Sequence, residues 1–184
     1  MSGRQAAVLA PTADPCGVPG AALVIEGYAS LWGVGDLNGD VVARGAFGRS
    51  VAAAGARGVR MLHQHESRSV IGVWDEMRED DRGLWVRGRI MDWSAEARFA
   101  QALSRAGALD GLSIGFRSQR ARRDGRLRVL VEVELWEVSL VTFPMLPAAR
   151  FSVTSQEAAA TSPRRLRDSG ELEAGRSRFV ARRA

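Results

Sequence analysis

The sequence predicts an α+β domain, mainly antiparallel β, whose sheet is curled or closed like a barrel and flanked by a few helices. Three observations lead there. Short alternating or β-branched segments recur between Gly-, Pro- and Asp-rich turns. Two long strand-like segments flank the turn Asp124-Gly125. Only one segment, following Ser94, has a strong helical period with a cap at each end. A chain of 184 residues with 46% hydrophobic and 26% charged residues suits one domain with loose ends, and excludes a wholly disordered, collagenous or coiled-coil protein.

Residues 1–20 carry three prolines and no sustained hydrophobic period, and are expected to form a flexible lead-in. The domain proper is expected over 21–151. Leu23 to Ala29 reads as a strand, closed by a Gly- and Asp-rich loop from Gly33 to Asp40 that can wrap around something. Ala46 to Ala54 favours a short helix between glycines, and Val59 to His65 another strand, where a period of two places His63 and His65 on one face. Val70 to Arg78 and Leu84 to Met91 form a hairpin across Asp80 to Gly83. Ser94 is the N-cap of a helix to about Arg105, with Phe99, Ala102, Leu103 and Ala106 on its apolar face and Gly107 ending it. Gly111 to Phe116 then leads into a basic strand, and Leu127 to Phe143 is long and apolar until Pro144. Residues 152–184, rich in Arg, Ala and Ser, are expected to be a mobile tail. The five tryptophans read mostly as core or barrel wall.

The net charge is +5, and all 26 basic residues are Arg. The stretch from Arg117 to Arg128 holds six of them against Asp124, and the stretch from Ser152 to Ala184 seven against four acids. A nucleic-acid-binding module would have to rest on these two segments, and the plainer reading of the first is a solvated edge ribbon whose charges discourage edge-to-edge pairing. No apolar run is long enough to span a bilayer or to form a signal peptide, so a soluble, unexported protein is expected, with no membrane partner. The single Cys16 excludes an internal disulfide and a Cys-rich zinc site. The pair His63 and His65 supplies two ligands where a metal needs three or four; Glu66 or Asp40 would have to complete the set, and no metal or other cofactor is expected.

With two histidines in the chain, any His-dependent mechanism uses His63 or His65. A serine hydroxyl needs a base to become a useful nucleophile, and histidine is the usual one. Ser113 is the best candidate, because the glycines of Gly111-Leu112-Ser113-Ile114-Gly115 let the backbone turn and approach a substrate closely. The pattern also occurs in α/β-hydrolases, but there a strand precedes and a helix follows, the reverse of the order here.

Five segments in order resemble one family. They are Gly27-Tyr28-Ala29-Ser30 with its Asp-rich loop, Gly45-Ala46-Phe47, Met61 to Glu66 followed by Ile71-Gly72, Gly111 to Phe116, and Leu135 to Pro144. Together they resemble the prohead maturation proteases of tailed phages, serine proteases similar in fold to herpesvirus assemblin. The resemblance implies that Ser113 is the nucleophile and that His65, which precedes Glu66, is the general base. His63 stands where the family often has an aromatic or apolar residue, and takes a supporting or structural role. No third His exists to orient the base, so an acid must do it: Glu137 is selected, with Glu134 and Asp40 as alternatives. Arg150, in the loop after Pro144, is the nearest counterpart of an oxyanion-stabilising Arg. The resemblance further implies a serine endopeptidase packaged inside the immature capsid in the cytoplasm of a bacterial host. It would cleave the scaffold segment of the major capsid protein and itself within the region after Phe151, and the resemblance also implies a homodimer. A catalytically inactive capsid-assembly or scaffolding protein is the alternative within the same setting.

Overall fold

The computed structural model describes residues 22–154. Eight strands and two helices follow in the order β1 (Leu23–Leu31), β2 (Asp40–Val42), α1 (Gly48–Gly58), β3 (Arg60–His63), β4 (Val70–Glu79), β5 (Gly83–Ile90), α2 (Ala95–Arg105), β6 (Gly111–Asp124), β7 (Leu127–Val141) and β8 (Phe151–Val153). The sheet runs β2-β7-β3-β4-β5-β1-β8, with β6 paired along β7. All these pairings are antiparallel except two, in which β2 and β3 lie parallel to successive stretches of β7.

The sheet curls until its far edges meet. Beside β8, the Leu112 N–H donates to the carbonyl of Ala149 (3.0 Å), the Phe151 N–H to that of Asp110 (2.9 Å) and the Tyr28 N–H to that of Arg150 (3.1 Å). The segment 149–151 therefore joins β1 to the start of β6. Gly27 permits this seam: a Cβ there would lie 2.1 Å from the Arg150 carbonyl oxygen. Inside the curl, Ile25, Phe47, Met61, Ile71, Trp74, Leu84, Ile90, Leu112, Leu130 and Leu140 form one continuous core. The expected α+β, mainly antiparallel architecture is the one observed.

The differences are local. β2 begins at Asp40, the last residue of the expected loop, and takes up a short parallel register with β7. β8 reaches Val153 and the Thr154 N–H donates to the carbonyl of Val24, so pairing with β1 continues past residue 151. The expected lead-in over 1–20 and most of the expected tail lie outside the described residues. Helix α2 starts where Ser94 predicts, with the hydroxyl accepting from the Ala97 N–H at 3.1 Å, but it buries a different face. Ala97, Ala100, Gln101 and Ser104 are buried, and Gln101 Nε2 donates to the carbonyl of Ile90 at 2.8 Å. Small side chains let the helix lie close on the sheet; Phe99 is left 57% exposed, its ring 6.4 Å from that of His63. Of the tryptophans, Trp74 is fully buried, whereas Trp93 and Trp136 are half exposed.

Candidate active site

The strand that brings Ser113 to the site, β6, runs from Gly111 through Gly115 without a turn. Gly111 and Gly115 both sit inside β6 with no positive φ, so neither makes the sharp turn expected of them. Their smallness serves the neighbouring strand instead. A Cβ on Gly111 would meet the Val141 carbonyl oxygen at 2.5 Å and Pro144 at 2.8 Å, and one on Gly115 would lie 2.2 Å from Glu137 Oε1. The register between β6 and β7 sets Ser113 opposite Ser139 and Gly115 opposite Glu137, so these positions share one face of the ribbon. The absent side chain at Gly115 is the space that the Glu137 carboxylate occupies.

His65 arrives by a different route from the one its spacing suggests. β3 ends at His63, and Gln64 and His65 are both at positive φ, 55° and 61°. The turn is closed by the Glu66 N–H on the His63 carbonyl at 3.0 Å. A strand period would have placed the two imidazoles together; the turn separates them. His63 packs near Phe99 with its Nε2 buried and without a partner, and burial pushes its pKa below the ordinary value. His65 instead reaches Glu137: Nδ1 lies 2.6 Å from Oε1. Two consecutive non-glycine residues at positive φ cost of order 1–3 kcal/mol each. His63, expected in a supporting or structural role, packs on the Phe99 side, and the turn aims His65 at Glu137.

Glu137 is well placed to act on His65. Its side chain is 13% exposed while that of His65 is 44% exposed, so the carboxylate is the inner member of the pair. The hydrogen bond to Glu137 raises the His65 pKa above its ordinary value, against the opposing effect of burial. The other carboxylate oxygen accepts a very short hydrogen bond from the hydroxyl of the fully buried Ser139. Sequence reasoning passed over Ser139, although its place two residues after Glu137 on a strand puts both on one face. The rival acids are engaged elsewhere. Glu134 pairs with Arg117 at 3.0 Å and accepts from Gln119 at 2.7 Å, and Asp40 is held by both arms of the Arg128 guanidinium.

His65 and Ser113 line one cleft of about 260 Å³. Its other walls are Ala29 and Ser30 from β1, the loop residues Val34, Asp36 and Asn38, the apolar Ile114, Phe116 and Leu130, and Met145 and Leu146. The Gly- and Asp-rich loop does wrap around something, namely this cleft; the Asp36 carboxylate accepts from the N–H groups of Asn38 (2.9 Å) and Asp40 (2.8 Å) to hold its shape. Ser113 is 6% exposed, a hydroxyl sheltered from bulk water. Arg150 does not line the cleft. It pairs with Asp110 at 2.5 Å and donates to the Pro147 carbonyl at 3.0 Å, bracing the seam. Among the described residues, no three His, Cys, Asp or Glu side chains gather in a way that would hold a metal ion. No helix among them is long and apolar enough to cross a membrane.

Of the basic ribbon, Arg117, Arg122 and Arg128 are paired with Glu134, Asp124 and Asp40. Counting Glu134 and Asp40 beside Asp124 takes the net charge a nucleic acid would meet there from +5 to +3.

The sequence matches the family of caudovirus prohead serine proteases over residues 17–163. It is 33% identical over 127 residues to the prohead protease of Enterobacteria phage HK97; the match covers 66% of this chain and 55% of that protein, so the chain spans little more than half of its relative's length. Among solved structures, the fold is similar to the bacteriophage T4 capsid assembly protease, with a TM-score of 0.54 at 16% identity over 65% of this chain and 82% of that one. It is also similar to the KSHV protease solved with a hexapeptide phosphonate inhibitor, with a TM-score of 0.52 at 12% identity over 73% of this chain and 66% of that one.

Proposed function

The chain belongs to the caudovirus prohead serine protease family, and from that premise we propose that it is a serine endopeptidase in which Ser113 is the nucleophile, His65 the general base and Glu137 the acid that orients it. The observation that carries this reading is the 2.6 Å contact between His65 Nδ1 and Glu137 Oε1. With Nδ1–H donated to the carboxylate, Nε2 is left unprotonated, and His65 shares its cleft with the Ser113 hydroxyl.

The chemistry follows from those roles. Ser113 Oγ attacks the carbonyl carbon of a peptide bond as its proton passes to His65 Nε2, and Glu137 stabilises the imidazolium that forms. The tetrahedral intermediate collapses when the imidazolium gives that proton to the departing amine. Water, activated by the same imidazole, then releases the acyl group from Ser113. The Ser139 hydroxyl holds the second carboxylate oxygen, so Glu137 keeps one orientation through the cycle.

The substrate in this reading is the scaffold segment of the major capsid protein, cut inside the immature capsid in the bacterial cytoplasm. The chain also cuts itself beyond Phe151. Co-expression with the cognate capsid protein, followed by intact-mass analysis, tests this. Defined truncations of both proteins are expected with the wild type and full-length masses with Ser113→Ala. Shells that assemble while neither protein shortens in either sample would favour an inactive assembly role.

A further inference from the structure

We propose that Gln64 is a positioning residue: its carboxamide, bonded in both directions to Thr142, fixes the turn that presents His65 to Glu137. The inference rests on the assignment of His65 as the base, but its test does not require peptide cleavage.

Among the described residues, Gln64 and His65 are the only non-glycine positions at positive φ. A turn with both central residues in that region ordinarily selects Asn and Gly, so Gln64-His65 needs support from outside itself. The support comes from one strand. The Gln64 N–H donates to the carbonyl of Leu140 at 2.9 Å. Gln64 Nε2 donates to Thr142 Oγ1 at 2.7 Å, and the Thr142 N–H donates to Gln64 Oε1 at 3.3 Å. Both ends of one carboxamide are thus used on one residue. A lone side-chain bond at the surface competes with water and contributes little, but a reciprocal pair fixes both the side chain and the backbone behind it.

What this pair fixes is a distance. Glu137 and Leu140 lie in β7, and Thr142 follows its last residue, so the acid and the turn bearing the base are referenced to the same piece of backbone. His65 is half exposed and its side chain has one hydrogen-bond anchor, Glu137; without the tie at Thr142, the turn keeps only its backbone bonds, those of the Gln64 and Glu66 N–H groups, to hold the imidazole in line. Besides Glu137, the charged groups near His65 are Glu66 in its own turn and Asp36, Asp40 and Arg128 in the cleft it lines.

The chain has two histidines, so an NMR titration of the full-length Ser113→Ala protein resolves both, with His63 as the internal reference. In that background, Gln64→Ala and Thr142→Val are each expected to move the His65 midpoint down toward its ordinary value while His63 stays in place. The double variant is expected to move it no further than either single one. Gln64→Gly, which relieves the backbone strain but not the lost tie, is expected to behave like Gln64→Ala. Thr142→Ser, which keeps the hydroxyl, is expected to titrate like the parent. With Ser113 restored, Gln64→Ala should lower kcat/KM about tenfold or more, chiefly through kcat. An unmoved His65 midpoint in Gln64→Ala and Thr142→Val, or a Gln64→Gly variant that titrates like the parent, would overturn the proposal. A wild type that cleaves nothing would instead count against the protease reading, and the titration would still decide the role of Gln64.

Discussion

Glu137 holds two hydroxyl- and imidazole-bearing neighbours at once, and its effect on His65 has opposite consequences for activity and for stability. A general base must be neutral, so cleavage should rise with pH through a midpoint above the ordinary histidine value of roughly 6.5. In Glu137→Gln the favoured imidazolium loses its partner. The rate is expected to fall by about 10²- to 10⁴-fold, and the midpoint of the remaining activity to move down. Folding raises the His65 pKa, so its bond to Glu137 contributes stability in full below roughly pH 6.5 and loses it as pH rises through the folded value. The Tm gap between wild type and Glu137→Gln should therefore be wider near about pH 5.5 than near about pH 9. A thermal melt of both proteins at each pH, beside a pH–rate profile, checks the pair of directions; a gap that widens with rising pH would contradict them. Residue types singled out Ser113 as the candidate nucleophile in the sequence, and the resemblance selected His65 and Glu137; the fold brings His65 onto Glu137 and into one cleft with Ser113. Gln64, Ser139 and Thr142 were not legible, because their contributions are hydrogen bonds across a turn and along a strand, and no spacing of residue types announces those.

The pairing of β6 with β7 sets Ser113 and Glu137 on one face, and the seam at 149–151 ties the start of β6 to β1. The glycines of the Gly-Leu-Ser-Ile-Gly segment illustrate the limits of reading a motif locally. The sequence suggested backbone freedom, whereas the structure uses absent side chains to admit Glu137 from the neighbouring strand and Pro144 from the segment after it. The same argument applies to Gly27, whose added Cβ would meet the Arg150 carbonyl at 2.1 Å. Gly27→Ala is expected to force β1 and the 149–151 segment apart and cost about 1–3 kcal/mol, read as a lower Tm or urea midpoint. Because Leu112, next to Ser113, is tied to Ala149 across that seam, activity should fall with it. An alanine variant as stable and active as wild type would show that the seam yields at no cost. The helix α2 was legible in its caps and length but not in its buried face, since large apolar residues signal burial more loudly than the small ones that allow close packing.

A single core runs through the curl, so local changes deep within it should be felt by the whole molecule. Trp74 lies fully inside this core. Trp74→Ala is expected to cost about 3–5 kcal/mol in denaturant unfolding. Trp74→Phe should cost much less, because it also removes an indole N–H that finds no acceptor. Equal losses for the two would mean that volume is not what this position supplies. The mainly β architecture was legible because alternating segments and turn residues are local signals. The curling of the sheet was expected too, but the segment that closes it was not, since its pairing partners lie more than a hundred residues away in one direction. The central claim, that the fold delivers an activated serine, is tested most directly by covalent labelling. The full-length protein would be treated with diisopropyl fluorophosphate, in which the serine oxygen displaces fluoride, and the adduct located by peptide mass mapping. One adduct at Ser113 is predicted, absent in Ser113→Ala and strongly reduced in His65→Ala. Labelling elsewhere, or labelling of Ser113 that does not depend on His65, would contradict the account.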